Sequence, residues 1–531
     1  MLTRRHVLAA PLAAPIAAPL ASAALSRPAL ARGNDKVLKF VPAAAYSSPD
    51  PVWTTAIVVA IHALMVWDTP YGADMSLTPK PQMCEGHEVS SDGLTWTFRL
   101  RDGLLFHDGE RVLGRDVAAS IKRWGQRDVF GQRLLAIAHE IDAPSDRTFR
   151  IRLKEPFPQM LYALGAQNCF VMPERMAMVP ANQAIKEFVG SGPFRFVDNE
   201  FVSGVRAVYA RNDKYVSRQE PSDNTAGGKP VHFERVEWVI QPDSGTAANA
   251  LVSGEVDWID QPLFDLLPVL ERSPDVTLAE AYPFGLIGTI ILNHTQPPFD
   301  NKKLRQALLH AVDQQEFLDA VLGDQARFGK LPTGYFTVGS PSASTAGMDV
   351  LTGPRDIARA RRMVTESGYK GEPVVLMSPS DQPQMHAMAA VTDALFKRLG
   401  INSQLVAVDW GTLLSRRAMT KPAAEGGWNA FNTRLAGGGA SNPTNIALRG
   451  SGPKAWFGWP DIPALETLRE AWFKAPTLEE QKAIAAKMQL AAFDGVPYIP
   501  LGQWSQPTAH RKDLTGIVPG LNHVFWGVRR A

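Results

Sequence analysis

The sequence predicts an α/β protein with more than one lobe, and three observations support this prediction. Residues 372–409 read as strand, helix and strand, a βαβ unit whose two strands run parallel. Other stretches, such as LTWTFRL at 94–100, alternate apolar and polar residues as half-buried strands do. The chain has 531 residues, whereas a single core seldom grows beyond about 250–300 residues.

The remaining elements follow from local patterns. Turn residues bracket a short strand at 104–106, and Asp116 stands near the start of a helix at 114–124. A surface loop is predicted at 219–230. Further predicted strands cover 36–41, 205–213, 231–242, 372–378, 401–409 and 496–504. Further predicted helices cover 355–368, 382–400, 463–474 and 477–493.

Residues 1–31 are predicted to be a signal peptide. Arg4 and Arg5 form a positive start, an Ala/Leu/Pro stretch follows, and residues 29–31 form an A-x-A cleavage site. The arginine pair is typical of a twin-arginine signal. A membrane anchor is the alternative, but prolines interrupt the stretch. We therefore expect a mature protein that begins near Arg32 and lies in the periplasm.

Charge and cysteine content exclude several classes of function. The formal net charge is +2, from 55 basic and 53 acidic residues, and three arginines lie in the first 31 residues. A nearly neutral body indicates neither a nucleic-acid partner nor an anionic membrane surface. Cys84 and Cys169 are the two cysteines, which is too few for a Cys-rich metal site. Whether they form a disulfide stays open.

No familiar catalytic signature occurs in the sequence, so we expect a protein that is not an enzyme and has no metal or cofactor. The FHDGE stretch at 106–110 places His107 beside Asp108, which could serve as an acid–base pair or as metal ligands. Neighbouring side chains on a strand point to opposite faces, and Asp-Gly favours a turn. We interpret this stretch as a polar surface turn.

Several tryptophans stand beside glycine and proline and are candidates for lining a ligand cleft rather than a core. Core packing is the alternative for each of them. These residues are Trp53, Trp410, Trp456, Trp459 and Trp504.

Segments along the whole mature chain together resemble the family 5 extracellular solute-binding proteins, which are peptide, nickel and oligopeptide receptors of ABC importers. The segment at 90–124, SSDGLTWTFRLRDGLLFHDGERVLGRDVAASIKRW, resembles the signature region. The match continues in order through 155–161, 190–215, 233–257 and 292–313, and on to DGVPYIPLGQ at 494–503. Each piece is weak alone, but their order makes the combined resemblance specific.

The resemblance implies a two-lobed periplasmic binding protein clamp of type II, in the large cluster with an extra N-terminal subdomain. Lobe I would take residues 32–72 with 190–284 and 501–531, the inserted subdomain 73–189, and lobe II 285–500. Two strands would cross between the lobes, near 279–288 and 496–503. Such a receptor is a monomer that binds a peptide or small solute and delivers it to a membrane permease driven by a separate ATPase.

Some ligand contacts of the family can be transferred to this chain. The loop after the first strand lines the cleft in relatives, which implicates Tyr46 and Ser47. Trp410 matches a ligand-stacking tryptophan, and Arg417 matches a ligand-facing arginine on the following helix.

The glycine run RLAGGGASNP, at 434–443, matches the loop that holds the amino end of a bound peptide. Gly438 lies in this loop, and the anchoring aspartate of relatives falls on Gly439. Arg434 and Asn442 remain as polar candidates. Because a buried cation needs a partner, we expect a ligand that has no free α-ammonium at this end. A merely flexible turn, or replacement of the anchor by Asp409, is the alternative.

Three functions remain to be separated. The leading prediction is an ABC-importer receptor for a peptide or a peptide-like solute. A secreted hydrolase on the same scaffold would need a nucleophile and a base converging in the cleft. A chemosensory or chaperone-like binding protein would use the same clamp without transport.

Overall fold

The computed structural model describes residues 35–45, 48–54, 56–165 and 169–531. The predicted signal peptide lies outside these residues. The strands are β1 (Val37–Val41), β2 (Tyr71–Ala73), β3 (Pro79–Pro81), β4 (Cys84–Val89), β5 (Thr95–Leu100), β6 (Ala138–Ser145), β7 (Thr148–Leu153), β8 (Phe194–Phe196), β9 (Arg206–Arg211), β10 (Arg235–Val239), β11 (Trp258–Ile259), β12 (Val276–Leu292), β13 (Gly329–Lys330), β14 (Val374–Pro379), β15 (Ser403–Val408), β16 (Ala430–Ala436), β17 (Tyr498–Arg511), β18 (Leu514–Thr515) and β19 (Arg529–Arg530).

The helices cover most of the segments between these strands. They are α1 (Ile57–Val66), α2 (Gly114–Trp124), α3 (Val129–Ile137), α4 (Met160–Gly165), α5 (Glu174–Ala177), α6 (Ser244–Ser253), α7 (Leu267–Arg272), α8 (Lys302–Ala311), α9 (Gln314–Leu322), α10 (Asp349–Thr352), α11 (Ile357–Glu366), α12 (Pro383–Arg398), α13 (Trp410–Arg416), α14 (Pro463–Lys474) and α15 (Leu478–Gly495). None of these described helices is both long and apolar enough to cross a membrane.

The largest sheet has 11 strands, in the order β15-β14-β16-β12-β17-β11-β1-β10-β9-β8, with β13 also pairing with β17. Its centre is the antiparallel pair of β12 and β17, the longest strands of the fold. The second half of β12 pairs with β16, and the second half of β17 pairs with β11. These two strands therefore join a sheet region built on β14–β16 to one built on β1 and β8–β11.

Local patterns explain why several predicted elements are confirmed. Helix α2 spans the predicted residues 114–124, and the Asp116 carboxylate accepts the Leu113 backbone N–H at 2.8 Å, which satisfies an unpaired donor at the helix start. Strand β14 precedes α12 in the sequence and β15 follows it, and the two strands pair in parallel, as the βαβ pattern predicted. Helix α14 begins and ends at the predicted residues 463 and 474.

A second sheet, β4-β5-β7-β6, lies in the first third of the chain and has its own apolar core with α2, α3 and α4. Two aromatic residues of α14, Trp472 and Phe473, also belong to this core although they come from the far end of the sequence. The four-stranded unit is therefore packed directly against α14.

Three local expectations need correction. Residues 104–106 form no strand, because Leu105 makes only an isolated bridge to Arg111. The last predicted strand, 496–504, extends to Arg511, because its second half pairs with the start of β12 and with β11. Trp504 therefore lies within a strand rather than in a loop. Cys84 and Cys169 are buried free thiols in this structure.

Candidate functional site

The crossing of β12 and β17 is irregular where it meets the glycine run. Tyr282 pairs with Gln506 and Leu286 with Trp504, so β12 has more residues than β17 in this interval. Gly285 has φ +53°, and a Cβ there would lie 2.0 Å from the Trp504 carbonyl oxygen. Only glycine fits this close approach of two backbones.

The three glycines of the run have different surroundings. Gly437 donates its N–H to the Gly285 carbonyl at 2.8 Å, and a Cβ at Gly437 would lie 2.0 Å from the Phe284 oxygen. Gly438 faces the Leu521 side chain. Gly439 is exposed, and a Cβ there would meet only the Ala436 oxygen, at 3.5 Å. The run thus approaches the β12 backbone at Gly437, whereas Gly439 has room for a side chain.

A small cavity lies between this run, the two crossing strands and the segment around Leu521. Its lining includes Tyr282, Phe284, Gly438, Gln506 and Leu521, and its volume is about 30 Å³. That volume holds a water molecule but no peptide. A ligand can therefore enter this cleft only if its walls move apart.

A chain of polar side chains crosses beside this cavity. Arg434, near the end of β16, donates to the Gln384 side-chain oxygen. Gln384 donates to the Gln506 oxygen at 3.2 Å, and Gln506 donates to the Pro262 carbonyl at 3.1 Å. Burial lowers the pKa of Arg434, and nearby Asp260 partly offsets this effect. The network connects α12 and β16 to the segment that follows β11.

Asp260 is the buried carboxylate of this region. The Tyr282 hydroxyl donates to it at 2.7 Å and the Ala43 backbone N–H at 3.0 Å. His523 Nε2 lies 3.0 Å from the same carboxylate. Asp260 is only 2% exposed, so these groups occupy it and it is not open to an incoming ammonium group.

Arg417 lies in an aromatic enclosure. Its guanidinium carbon lies 4.3 Å from the Phe457 ring centroid, 5.5 Å from that of Trp456 and 6.0 Å from that of Trp410. Burial lowers the pKa of Arg417 to about 10. Its side chain makes no hydrogen bond or ion pair with any residue that the structure describes, and the partly exposed charge lies against aromatic faces.

The structure does not bring Arg417 and Arg434 together. Arg416, next to Arg417, donates to the Gly427 carbonyl at 2.7 Å, just before β16 begins. Arg434 lies four residues after the first residue of β16, and its side chain contacts Gln384 on α12. The two predicted arginines therefore contact different sets of residues.

Other candidate residues are already engaged. Asn442 donates to the Tyr162 hydroxyl at 3.1 Å, and its oxygen accepts the Thr444 N–H at 2.9 Å. Trp504 is fully buried in the large apolar core. Asp409, the alternative anchor considered above, is exposed, and its carboxylate caps α13 by accepting the Thr412 N–H at 2.9 Å. Tyr46 and Ser47 lie outside the described residues.

Sequence reasoning missed the polar groups that surround the cleft. Asp260, Tyr282, Gln384, Gln506 and His523 come from distant parts of the chain and stand in no recognisable motif. No local signal identifies them, because their proximity exists only after β11, β12, α12 and β17 have packed together.

The FHDGE stretch forms a turn, with Gly109 at φ +94°. His107 Nδ1 accepts the Gly190 N–H at 3.1 Å, and Nε2 lies 3.1 Å from the Gly192 oxygen. Asp108 instead pairs with Arg175 at 2.8 Å. The two side chains serve different contacts, and among the described residues no group of three His, Cys, Asp or Glu side chains could hold a metal ion.

Comparison with solved structures shows the same fold. The chain matches the protein AgaA from A. tumefaciens R10, solved in complex with agropinic acid, with a TM-score of 0.76 and 21% identity over 93% of this chain and 99% of that one. It matches DppA from Helicobacter pylori, in complex with the peptide STSA, with a TM-score of 0.74 and 19% identity over 93% and 98%. The neighbours are two-lobed periplasmic binding proteins, which confirms the predicted fold class.

Sequence comparisons agree. The chain is 39% identical to a probable peptide ABC transporter periplasmic-binding protein, y4tO, of Sinorhizobium fredii, over 96% of this chain and 97% of the relative. It is 26% identical to the glutathione-binding protein GsiB of Pectobacterium atrosepticum, over 89% of each chain. The model of the middle region of the bacterial extracellular solute-binding proteins, family 5, matches residues 78–454. The chain therefore belongs to the family 5 bacterial extracellular solute-binding proteins.

Proposed function

We propose that this protein captures a peptide-like solute that lacks a free α-ammonium group, and that it releases this solute to the permease of an ABC importer. Membership of the family makes the chain a substrate-binding protein and not an enzyme, and the hydrolase alternative is not favoured. What the proposal adds is the chemical class of the ligand.

The ligands of the relatives are chemically diverse, which leaves room for this class. The named ones include glutathione, agropinic acid and the peptide STSA. A shared fold at 19–21% identity therefore does not define the ligand. The ligand class therefore has to be inferred from the side chains of the cleft.

Among the described residues that line the cleft cavity none is acidic, and this observation carries the proposal. Residues 435–445 contain no Asp or Glu. Asp260 is buried and occupied, and Arg434 adds positive charge beside it. An α-ammonium enclosed here would lose its hydration without gaining a partner, which costs several kcal/mol. A neutral or anionic end, for example an acylated or acidic one, avoids that cost.

Substitution at Gly439 tests the proposal directly, because this site has room for a side chain. Calorimetry would compare unmodified and N-acetylated di- and tripeptides on the wild-type protein. We expect the acetylated peptides to bind the wild type more tightly. Gly439→Asp should reverse this order by at least about tenfold, since a charged hydrogen bond contributes about 1.5–3 kcal/mol.

Gly439→Asn is the matched control, because asparagine has nearly the size of aspartate but no charge, and it should keep the wild-type preference. Arg434→Gln is tested against acidic peptides. Its control is Arg362→Gln, which removes a positive charge from an exposed position on α11. The proposal fails if wild-type protein binds unmodified peptides at micromolar concentration and acetylation abolishes that binding.

We also propose the surrounding organisation. The family lies outside the cytoplasm, and Arg4 and Arg5 support export by the twin-arginine route. The pairing of β12 with β17 supports lobes divided as predicted, with 73–189 as the inserted subdomain. The protein acts as a monomer, and a separate ATPase drives the permease.

A further inference from the structure

A second cavity lies where the subdomain meets α14 and α15, and we call it the seam cavity. Its volume is about 300 Å³, ten times that of the cleft cavity. One wall consists of residues 76–79 and 158–162, and the other of residues 341–342, 441–442, Trp472 and 478–482. A volume of this size is typical of small-molecule sites.

Specific contacts hold the two walls together. Asn442 donates to the Tyr162 hydroxyl at 3.1 Å. The Trp472 ring lies 5.9 Å from the Phe130 ring, and Glu470 pairs with Arg133 at 3.1 Å. The seam cavity is thus bounded by a built interface rather than by loose surface loops.

Two polar groups beside the seam cavity are buried without partners. Gln159 is 5% exposed, and its side-chain Nε2 makes no hydrogen bond with any residue that the structure describes. The Trp472 indole N–H, in a side chain 4% exposed, also has none. A buried unpaired donor costs about 1–3 kcal/mol. These two nitrogens have almost no accessible surface, so a bound molecule with acceptor oxygens would pair with them once their side chains turn towards the cavity.

The rest of the lining defines the ligand further. Leu77, Pro79, Leu161 and Pro341 present apolar surface, and Lys482 is the one charged residue among the described residues that line the cavity. The Lys482 ammonium lies 2.9 Å from Glu479, but that pair is exposed, and exposed pairs are weak. Lys482 can therefore turn to an incoming anion.

We propose that the seam cavity binds a small amphipathic carboxylate. The hydrocarbon part would lie against the leucine and proline side chains, and the carboxylate would face Lys482 and the unpaired donors of Gln159 and Trp472. The seam cavity and the cleft cavity share no lining residue, and an open groove lined by Phe284, Pro341 and Lys482 lies between them. The glycine run separates them, with Gly438 facing the cleft and Asn442 facing the seam.

Calorimetry with 3-phenylpropionate on the full protein tests the proposal, with 3-phenylpropanol and 3-phenylpropylamine as matched neutral and cationic probes. We expect saturable binding of the acid and at least tenfold weaker binding of the alcohol and the amine. Lys482→Ala and Trp472→Phe should each weaken binding of the acid severalfold. Gln159→Leu should weaken it about tenfold while raising the melting temperature, since leucine has no amide to leave unpaired.

Two controls locate the binding. Lys487→Ala removes an exposed lysine from the same helix outside the cavity lining and should leave the affinity unchanged. Arg434→Gln, in the cleft, should also leave the affinity for 3-phenylpropionate unchanged. The proposal is overturned if the acid does not bind at millimolar concentration, if the alcohol binds equally well, if Gln159→Leu and Lys482→Ala bind with wild-type affinity, or if Arg434→Gln abolishes binding.

Discussion

His107 is a single residue whose surroundings separate a structural role from a binding role. Its ring lies between the backbones of Gly190 and Gly192, and burial lowers the pKa of His107 to about 4. The imidazole is therefore neutral at pH 7, with Nδ1 accepting and Nε2 donating. It joins the FHDGE turn to residues 190–192 and does not line the cleft cavity.

We expect His107→Ala to reduce stability but not ligand binding. Losing two hydrogen bonds to partly buried backbone should cost about 1–3 kcal/mol of unfolding free energy. Affinity for the cleft ligand should stay within about threefold, because changes remote from a site seldom exceed about 0.5 kcal/mol. Urea unfolding and calorimetry on the same variant measure both. A hundredfold loss of affinity would restore FHDGE as a functional site.

At the scale of a secondary-structure element, the crossing of strands β12 and β17 requires a glycine at position 285. Gly285 combines a positive φ with a backbone contact that a Cβ cannot share. Gly204 also has a positive φ, +76°, but a Cβ there would meet nothing within 4 Å. Comparing alanine substitutions at Gly204 and Gly285 thus separates two losses of stability, one from the left-handed backbone conformation and one from the steric clash.

We expect Gly204→Ala to lower the unfolding free energy by about 1–2 kcal/mol, the usual cost of a left-handed conformation for alanine. Gly285→Ala should lower it by about 1–3 kcal/mol more, as overpacking does. Urea unfolding of both variants makes the comparison. Equal losses would mean that the strands shift apart easily at this point and that the close approach is not a constraint.

The stability of the whole molecule should fall in acid because several histidines are held neutral. Burial lowers the pKa of His62 and of His294 to about 3, and that of His107 to about 4. In the unfolded chain these groups titrate near 6.5. Their contribution to stability is therefore complete above about pH 6.5 and is lost as the pH falls towards 3–4.

We expect each of these histidines to add a slope of about 1.4 kcal/mol per pH unit below pH 6. His62→Gln, which cannot titrate, should reduce the slope by about that amount between pH 6 and pH 4.5. Urea unfolding at the two pH values gives the change in unfolding free energy for the wild type and for the variant. A loss of stability that is the same at both pH values does not affect this change. An unchanged slope would show that His62 is protonated in the folded protein.

The cleft shows how far sequence reasoning reaches. The glycine run was identified from the sequence, and so was its lack of an acid, because both are local features. Resemblance also pointed to Arg417, and Arg434 remained a polar candidate, but only the structure shows that Arg417 lies against Phe457 whereas Arg434 contacts Gln384. Asn442 appeared as a ligand candidate, whereas it holds Tyr162 across the seam. The spacing of residues along the chain does not show which of them contact each other in the folded protein.

The sequence by itself determined the α/β class, the boundaries of α2 and α14, the parallel β14-α12-β15 unit and the family, because periodicity, caps and turns are encoded within short windows. Only the tertiary structure decided which polar groups meet in the cleft and that Trp472 of α14 closes a cavity against residues 76–79 and 158–162. Asp260 and His523, for example, lie more than half the length of the mature chain apart and meet at 3.0 Å. Contacts of this kind follow from burial of the cores and packing of β11, β12 and β17 against each other, which no short window encodes.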